Sequence, residues 1–208
     1  MNDTSSVSSI AAVLLAAGES RRMGDINKLS LEIAGTPLLR HAVLNLLASR
    51  AAEVLVVTGH EAEWASDVLA DLPVRLVHNA QYTSGQASSV TLGLSAISDG
   101  HHGIMMCLSD QPLLTPSDLN QLLDAFDNVS QKSILVPRYQ GVRGNPVVLS
   151  GELRQRILTK SGNPGCRSFM DENPQLVAFW EAPNDHFTRD IDTPDDYQAL
   201  QNTDMTAH

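Results

Sequence analysis

At 208 residues the chain is long enough for one α/β domain around a single core and short for two. Its 14 Lys and Arg against 24 Asp and Glu give a formal charge of -10, which repels nucleic acid and anionic lipid at long range and excludes a general polyanion binder. A small anion is still bindable where a few cations converge, so where the basic residues fall matters more than their number. No apolar run is long enough to span a bilayer. The polar start, Met1 to Ser9, lacks the basic and apolar regions of a signal peptide and reads as a flexible terminus. Cys107 lies in an apolar run and Cys166 in a glycine-containing loop, a pattern of neither disulfides nor metal ligation. The expectation is a cytoplasmic enzyme.

In chain order, Ile10 to Ala16 is a continuous run of small and branched apolar residues, as in a strand buried on both faces. A polar, glycine-containing loop follows from Gly18. Pro37 to Ser49 shows helical periodicity with proline in the first turn. Glu53 to Thr58 predicts a second buried strand, ended by Gly59, and Glu61 to Asp71 the next helix. Val74 to His78 is a third strand, Ser88 to Ile97 a helix and Gly103 to Leu108 a fourth strand. Ser117 to Asn128 is a helix with Ser117 as N-cap. This alternation implies βαβ units, a mostly parallel sheet and helices on both faces. The later part is less regular: strands at Ser133 to Val136, Pro146 to Leu149 and Val177 to Glu181, helices at Gly151 to Leu158 and Pro194 to Leu200. Residues 10–200 read as one domain, and 201–208 as a flexible tail.

In open α/β sheets, ligands bind beyond the carboxyl ends of the strands. The loops Gly18 to Lys28, Gly59-His60, Asn79 to Ser89 and Asp110-Gln111-Pro112 all fall there, so topology alone brings them to one edge. In the first loop, small residues let backbone N–H groups approach a phosphate and Ser20 offers one more donor. Arg22 adds a planar fork and Lys28 a point charge. On composition alone it is equally a strand-to-helix turn with solvated cations. It is neither GxxxxGK[ST] nor GxGxxG.

Asp110 closes an apolar strand, where an aspartate reaches a cation bridging phosphate oxygens, although aspartate is also common in such turns. Asp190 and Asp192 share a face if their stretch is extended, which makes them metal candidates. Asp195 and Asp196 sit in the first turn of the last helix and read as structural. Gly85-Gln86-Ala87-Ser88-Ser89 precedes a helix and suits a phosphate, a base edge or a plain N-cap. Gly144-Asn145-Pro146 beside Arg143, and Ser161 to Arg167, suit a second anionic substrate or simple turns. The scattered histidines have no metal-ligand spacing, and no GxSxG elbow is present.

Taken together, the ordered motifs resemble the molybdenum cofactor nucleotidyltransferases. Leu15-Ala16-Ala17-Gly18-Glu19-Ser20-Arg21-Arg22-Met23-Gly24 with Lys28 is similar to their LAAGxSxRMGxxK signature. Ser109-Asp110-Gln111-Pro112 is similar to their metal-binding DQP element. Gly85 to Ser89, Gly144-Asn145-Pro146-Val147 and Asp190 to Asp196 match in the same order, so the resemblance runs from about Ile10 to Leu200. It implies a Rossmann-like, three-layer nucleotidyltransferase fold. The cytidylyl branch is implied by Ala17, since guanylyl relatives read LAGG. Where members often read GDxGAR, this chain has Gly162-Asn163-Pro164-Gly165-Cys166-Arg167, a departure in the second-substrate contacts.

The implied reaction transfers CMP from CTP to the terminal phosphate of molybdopterin, with Mg2+ (or Mn2+ substituting) on Asp110 and on Asp190 or Asp192. Arg22 would grip the β- and γ-phosphates and Lys28 the α-phosphate. Leu15, Ala16, Ala17, Gly18, Ser20 and Gly59 would line the nucleotide. Gly85, Gln86, Ser88 and Ser89 would contact the nucleoside, and Asn145 and Arg167 the second substrate. A client molybdoenzyme or its chaperone is a further expected partner. Alternatives are guanylyl, sugar-phosphate or alcohol-phosphate transfer, a non-catalytic delivery protein and, more distantly, an NAD-dependent oxidoreductase.

Overall fold

The structure, a computed structural model, describes residues 9–24, 26–129, 134–160 and 165–204. Its first strand, β1 (Ile10–Ala16), is buried at every position. Ala12, Leu14 and Ala16 enter one apolar layer, while Ala11, Val13 and Leu15 enter the other. Both faces being covered is why the run is uninterrupted rather than alternating.

A short hairpin of β2 (Glu32–Ile33) and β3 (Thr36–Pro37) leads into α1 (Leu38–Leu47). β4 (Glu53–Thr58), α2 (Ala62–Leu69), β5 (Arg75–His78), α3 (Gln86–Ala96) and β6 (Gly103–Leu108) continue the alternation. α4 (Pro116–Asp127), β7 (Ile134–Tyr139), β8 (Val142–Arg143) and β9 (Val147–Ser150) follow. The chain ends with α5 (Leu153–Leu158), α6 (Gly165–Glu172), β10 (Val177–Glu181) and α7 (Pro194–Asp204).

The main sheet has the order β10-β7-β9-β6-β1-β4-β5, with β8 beside β7. β1 pairs in parallel with β4 and β6, and β4 with β5. β9 is antiparallel to β6 and to β7. The mostly parallel, Rossmann-like sheet is therefore as expected, with one reversed strand separating the regular first half from β7 and β10. Helices α1, α2 and α4 pack on one face, and α3, α5 and α6 on the other. α3 comes close because Gly93 has no side chain: a Cβ there would lie 2.4 Å from the Val13 side chain.

Several expected boundaries shift for local reasons. Thr36 and Pro37 pair with Ile33 and Glu32, so the helix expected from Pro37 begins at Leu38. α4 is capped by Thr115, not Ser117: Thr115 Oγ1 accepts from Asp118 N (3.2 Å) and Asp118 Oδ2 accepts from Thr115 N (2.9 Å), with Pro116 preset in the first turn. Gly165 to Arg167, expected as loop, opens α6. Its only buried apolar side chains are Phe169 and Met170, too few for a legible periodicity. The last helix runs beyond Leu200 to Asp204, against the tail expected from residue 201. Ser133, Ser161–Pro164 and the expected flexible residues 1–8 and 205–208 lie outside the described residues. Among those described, no helix is long and apolar enough to cross a membrane.

Candidate active site

Two adjoining cavities, of about 420 and 530 Å³, open at the carboxyl ends of β1 and β6. They share Leu15, Arg22, Gln86, Leu108, Asp110 and Asp192.

The first cavity is walled by the loop after β1. Ala17, Gly18 and Ser20 line it, and a Cβ at Gly18 would meet nothing within 4 Å, so the backbone there is open to a ligand. Ser20 adopts the left-handed conformation (φ 52°), and its Oγ accepts from Lys28 N at 3.2 Å, closing the loop on itself. Buried Met23 and Leu29 anchor the two ends of the basic segment. Asn27 Oδ1 accepts from Leu29 N (2.9 Å), and Asn27 Nδ2 donates to Glu61 (2.5 Å). Lys28 is thus presented from a tethered turn.

Its ammonium donates to Asp110 Oδ2 at 2.7 Å and to Asp192 Oδ1 at 3.3 Å. The Lys28 and Asp110 side chains are only 12% and 20% exposed, so water screens this pair far less than a surface one. Arg22 meets Asp192 Oδ2 at 2.8 Å, but its side chain is 70% exposed and stands at the rim. The structure thus brings Arg22, Lys28 and Asp110, from loops that topology sends to this edge, together with Asp192 from the segment before α7.

Around this cluster the backbone is fixed from several directions. Ser109 Oγ donates to Leu15 O at 2.8 Å, joining the ends of β6 and β1. Ile191 N donates to Asp110 O at 2.9 Å. Asp196 Oδ2 accepts from Asp192 N (3.0 Å) and Thr193 N (2.8 Å), so Asp196 is structural, as read from the sequence.

Asp190 carries part of its surface to solvent, yet crowding around its carboxyl and the negative charges of Asp110 and Asp192 push its pKa up to about 6. The Lys28 charge and a hydrogen bond from Gln111 act in the opposite sense and are outweighed. Asp110 Oδ1 is buried without a hydrogen-bond partner. An unpaired buried carboxylate oxygen beside a second carboxylate, each disfavouring the other's negative charge, suits a hard divalent cation with oxygen ligands. The sequence leaves the second ligand open between Asp190 and Asp192, and among the described residues no three Asp, Glu, His or Cys groups gather closely enough to form a three-ligand centre. Asp192 is instead taken up by Arg22 and Lys28. Asp110 with Asp190 remains the fitting pair, because Mg2+ needs only one or two carboxylates alongside phosphate and water.

The far wall of the first cavity comes from the loop after β5. Gln86 and Ser89 line it, together with Tyr82 and Thr83. Ser88 does not: its Oγ donates to Gln81 O and Gly85 O and accepts from Asn79 Nδ2 (2.8 Å). Buried Asn79 also donates to Ser89 Oγ at 2.9 Å and ties the turn to α3. Ala16 and Gly59 lie behind the wall. A Cβ at Gly59 would come within 2.7 Å of the Ala17 and Tyr82 β-carbons, so Gly59 lets the two loops meet. Asn79, Tyr82 and Thr83 carry no distinguishing signal in the sequence beyond their place in an edge loop.

The second cavity pairs apolar Val90, Met106 and Val147 with Asn145, Arg143 and Arg167. Arg143 ion-pairs with Asp171 at 3.0 Å and stands 5.3 Å from the Phe179 ring centre. Cys166 also faces this cavity, and burial pushes its thiol up to about 12, so it is neutral at physiological pH.

The model of the MobA-like NTP transferase domain matches residues 12–177. The chain is 32% identical over 198 residues to nicotine blue oxidoreductase of Paenarthrobacter nicotinovorans, covering 92% of this chain and 96% of that protein. It is 33% identical over 202 residues to the purine catabolism protein PucB of Bacillus subtilis, again covering 92% and 96%. Among solved structures, a nucleotidyl transferase from Methanothermobacter superposes with a TM-score of 0.81 at 23% identity, covering 96% of this chain and 99% of the other.

Proposed function

Because the chain belongs to the MobA-like NTP transferase family and is a nucleotidyltransferase, we propose that it transfers CMP from CTP to the terminal phosphate of molybdopterin, releasing pyrophosphate. The observation that carries this reading is the Lys28 ammonium, held 2.7 Å from Asp110 at the mouth of a cavity walled by the Ala17–Ser20 backbone. The triphosphate would lie along Gly18 and Ser20, and the base against the Tyr82–Gln86 wall. Ala17 fills the space a glycine would leave, which supports the smaller pyrimidine. The acceptor would occupy the second cavity, its apolar body on Met106 and Val147 and its phosphate drawn by Arg143 and Arg167.

In the reaction an acceptor phosphate oxygen bonds to the α-phosphorus of CTP as the bond to the β-phosphate oxygen breaks. A phosphate is already a sufficient nucleophile near neutral pH, so no general base is required. The protein aligns the groups in line and neutralises charge. Lys28 stabilises the charge that grows at the α-phosphate, and Arg22 follows the departing pyrophosphate from its exposed position. Mg2+ bound by Asp110 and Asp190 would supply charge compensation between phosphate oxygens.

Pyrophosphate release is the test, run with molybdopterin, Mg2+ and CTP or GTP in turn. Release with CTP and a cytidine dinucleotide product is expected. Equal release with GTP removes the base preference, and release only with a sugar or alcohol phosphate moves the acceptor. The Paenarthrobacter relative's name gives a second reading, an oxidation–reduction reaction. Consumption of a reduced nicotinamide dinucleotide without pyrophosphate release would replace the first reading.

A further inference from the structure

Gln111 adjoins Asp110 but lines neither of the two cavities. It turns inward, is 3% exposed, and its Nε2 donates to the main-chain carbonyl of Phe187 at 2.8 Å. That carbonyl also accepts from Asn145 N at 2.8 Å. Phe187 itself is fully buried, edge-on to Trp180 with ring centres 5.3 Å apart. Gly144 presses on the same carbonyl: a Cβ there would lie 2.4 Å from the Phe187 oxygen. Four residues on, Ile191 N donates to Asp110 O at 2.9 Å. Asp110 and Gln111, consecutive in one loop, therefore grip both ends of the segment Phe187–Ile191, and Asp190 stands between the grips.

We propose that Gln111 is a positioning residue: by holding the Phe187 carbonyl it fixes where the Asp190 carboxylate stands relative to Asp110, and so sets the affinity of the divalent-cation site. The amide is retained at a cost. Its Oε1 is buried with no partner, an expense that an apolar side chain of similar shape would avoid. Such a side chain would fill the space but release the carbonyl, and with it the hydrogen bond that the same amide gives the Asp190 carboxylate. Because Asn145 N shares that carbonyl, the anchor also joins the acceptor wall to the metal segment, so a shift at one is felt at the other. Residues that orient metal ligands in this way typically change metal affinity by about 10- to 100-fold when replaced.

This inference rests on the proposed metal pair Asp110 and Asp190, and its test does not depend on turnover. Mn2+ binding to the full chain is titrated by electron paramagnetic resonance for wild type, Gln111→Met and Gly144→Ala, which disturbs the same carbonyl from the other side. Val43→Ala, in the opposite part of the α1 core, serves as a control for lost stability. Gln111→Met and Gly144→Ala should each weaken Mn2+ binding about tenfold, and Val43→Ala should lower the melting temperature without changing Mn2+ binding. In the pyrophosphate assay, Gln111→Met should regain most of its kcat at high Mg2+, with the KM for CTP little changed. Wild-type Mn2+ affinity in both Gln111→Met and Gly144→Ala would overturn the role, as would a wild type that binds no Mn2+. A wild type that binds Mn2+ but releases no pyrophosphate would sink the transfer reading alone, leaving the positioning role to stand on the shift in binding.

Discussion

The two cavities differ in how they are held. The cavity proposed for the nucleotide is built mainly from loops of a regular βαβ series, and its cations and carboxylates are tied to each other: Lys28 to Asp110 and Asp192, Arg22 to Asp192. The second cavity draws on β7, β9, α6 and the segment before α7, stretches far apart in sequence, and sets apolar Val90, Met106 and Val147 beside Arg143, Arg167, Asp110 and Asp190. The first is closed by ion pairs within one edge of the sheet, while the second adds its own arginines and apolar wall from distant segments. Substitutions in the first should therefore act on every acceptor alike, while those in the second should act on one acceptor and not another.

Lys28→Ala should give the largest effect. Removing a preorganised charge at a developing phosphate oxyanion costs about 10²–10³ in kcat, and the loss should be the same whichever acceptor is supplied. Single-turnover pyrophosphate release measures it, with circular dichroism to check folding. A loss that varied with the acceptor would erase the distinction between the cavities.

Asp190→Asn comes next and separates metal binding from stability. The Asp190 pKa is raised in the folded protein, from an ordinary 3.8 to about 6, so the fold favours its protonated form. This penalty is absent below the unfolded value, grows as pH rises between the two, and is complete above about 6. With chelator present, Asp190→Asn should raise the melting temperature at pH 7 and make no difference near pH 3. The same variant should weaken Mg2+ activation by about tenfold or more. In wild type, Mg2+ activation should weaken as pH falls through 6, because the proton competes with the metal. A melting temperature at pH 7 unchanged by the substitution would count against the crowding of negative charge at this edge.

Arg167→Ala tests the second cavity. Loss of an exposed arginine that meets an acceptor phosphate should raise the acceptor KM by about tenfold, consistent with a charged hydrogen bond of about 1.5 kcal/mol, and leave the KM for CTP unchanged. If the KM for CTP moved instead, the assignment of the two cavities would be reversed.

How far the site was legible follows the same division. Lys28, Asp110 and the Ala17–Ser20 loop are readable because a buried parallel strand must end in a loop at the ligand-binding edge, and the residues that bind are local to that loop. The fold's first half is legible for the same reason: β1, β4 and β6 are buried almost throughout, and α1 and α2 each show one apolar stripe. In the second half β7, β9, β10, α5 and α7 are legible as elements, but the reversed direction of β9 leaves no mark in its residues and α6 buries too little to show a period. Asn79 and Gln111 were missed as supports because their work is to hold main-chain and hydroxyl groups distant in sequence or hidden in a turn. Ser88 and Gly59 were read as contacts because composition cannot say which side of a wall a residue occupies. Asp192 was read as a metal ligand because an alternating Asp-x-Asp fixes a face, but not which cation reaches it first.

The smallest expected effects come from two glycines on either side of the nucleotide wall, and they tell binding from packing. At Gly18 a methyl group would meet nothing within 4 Å, whereas at Gly59 it would lie 2.7 Å from the Ala17 and Tyr82 β-carbons and 2.8 Å from Ala17 O. Gly18→Ala should therefore leave the melting temperature within a degree or so of wild type, and raise the KM for CTP by obstructing the backbone's approach to phosphate. Gly59→Ala should cost about 1–3 kcal/mol of stability through overpacking and change the KM for CTP by only a few-fold, as Ala17 is pushed forward. Neither should change the KM of the acceptor, because neither residue touches the second cavity. Urea unfolding with steady-state kinetics on both variants gives the two quantities. An acceptor KM that rises in Gly59→Ala would mean the two walls move together, and the separate action of the two cavities would have to be given up.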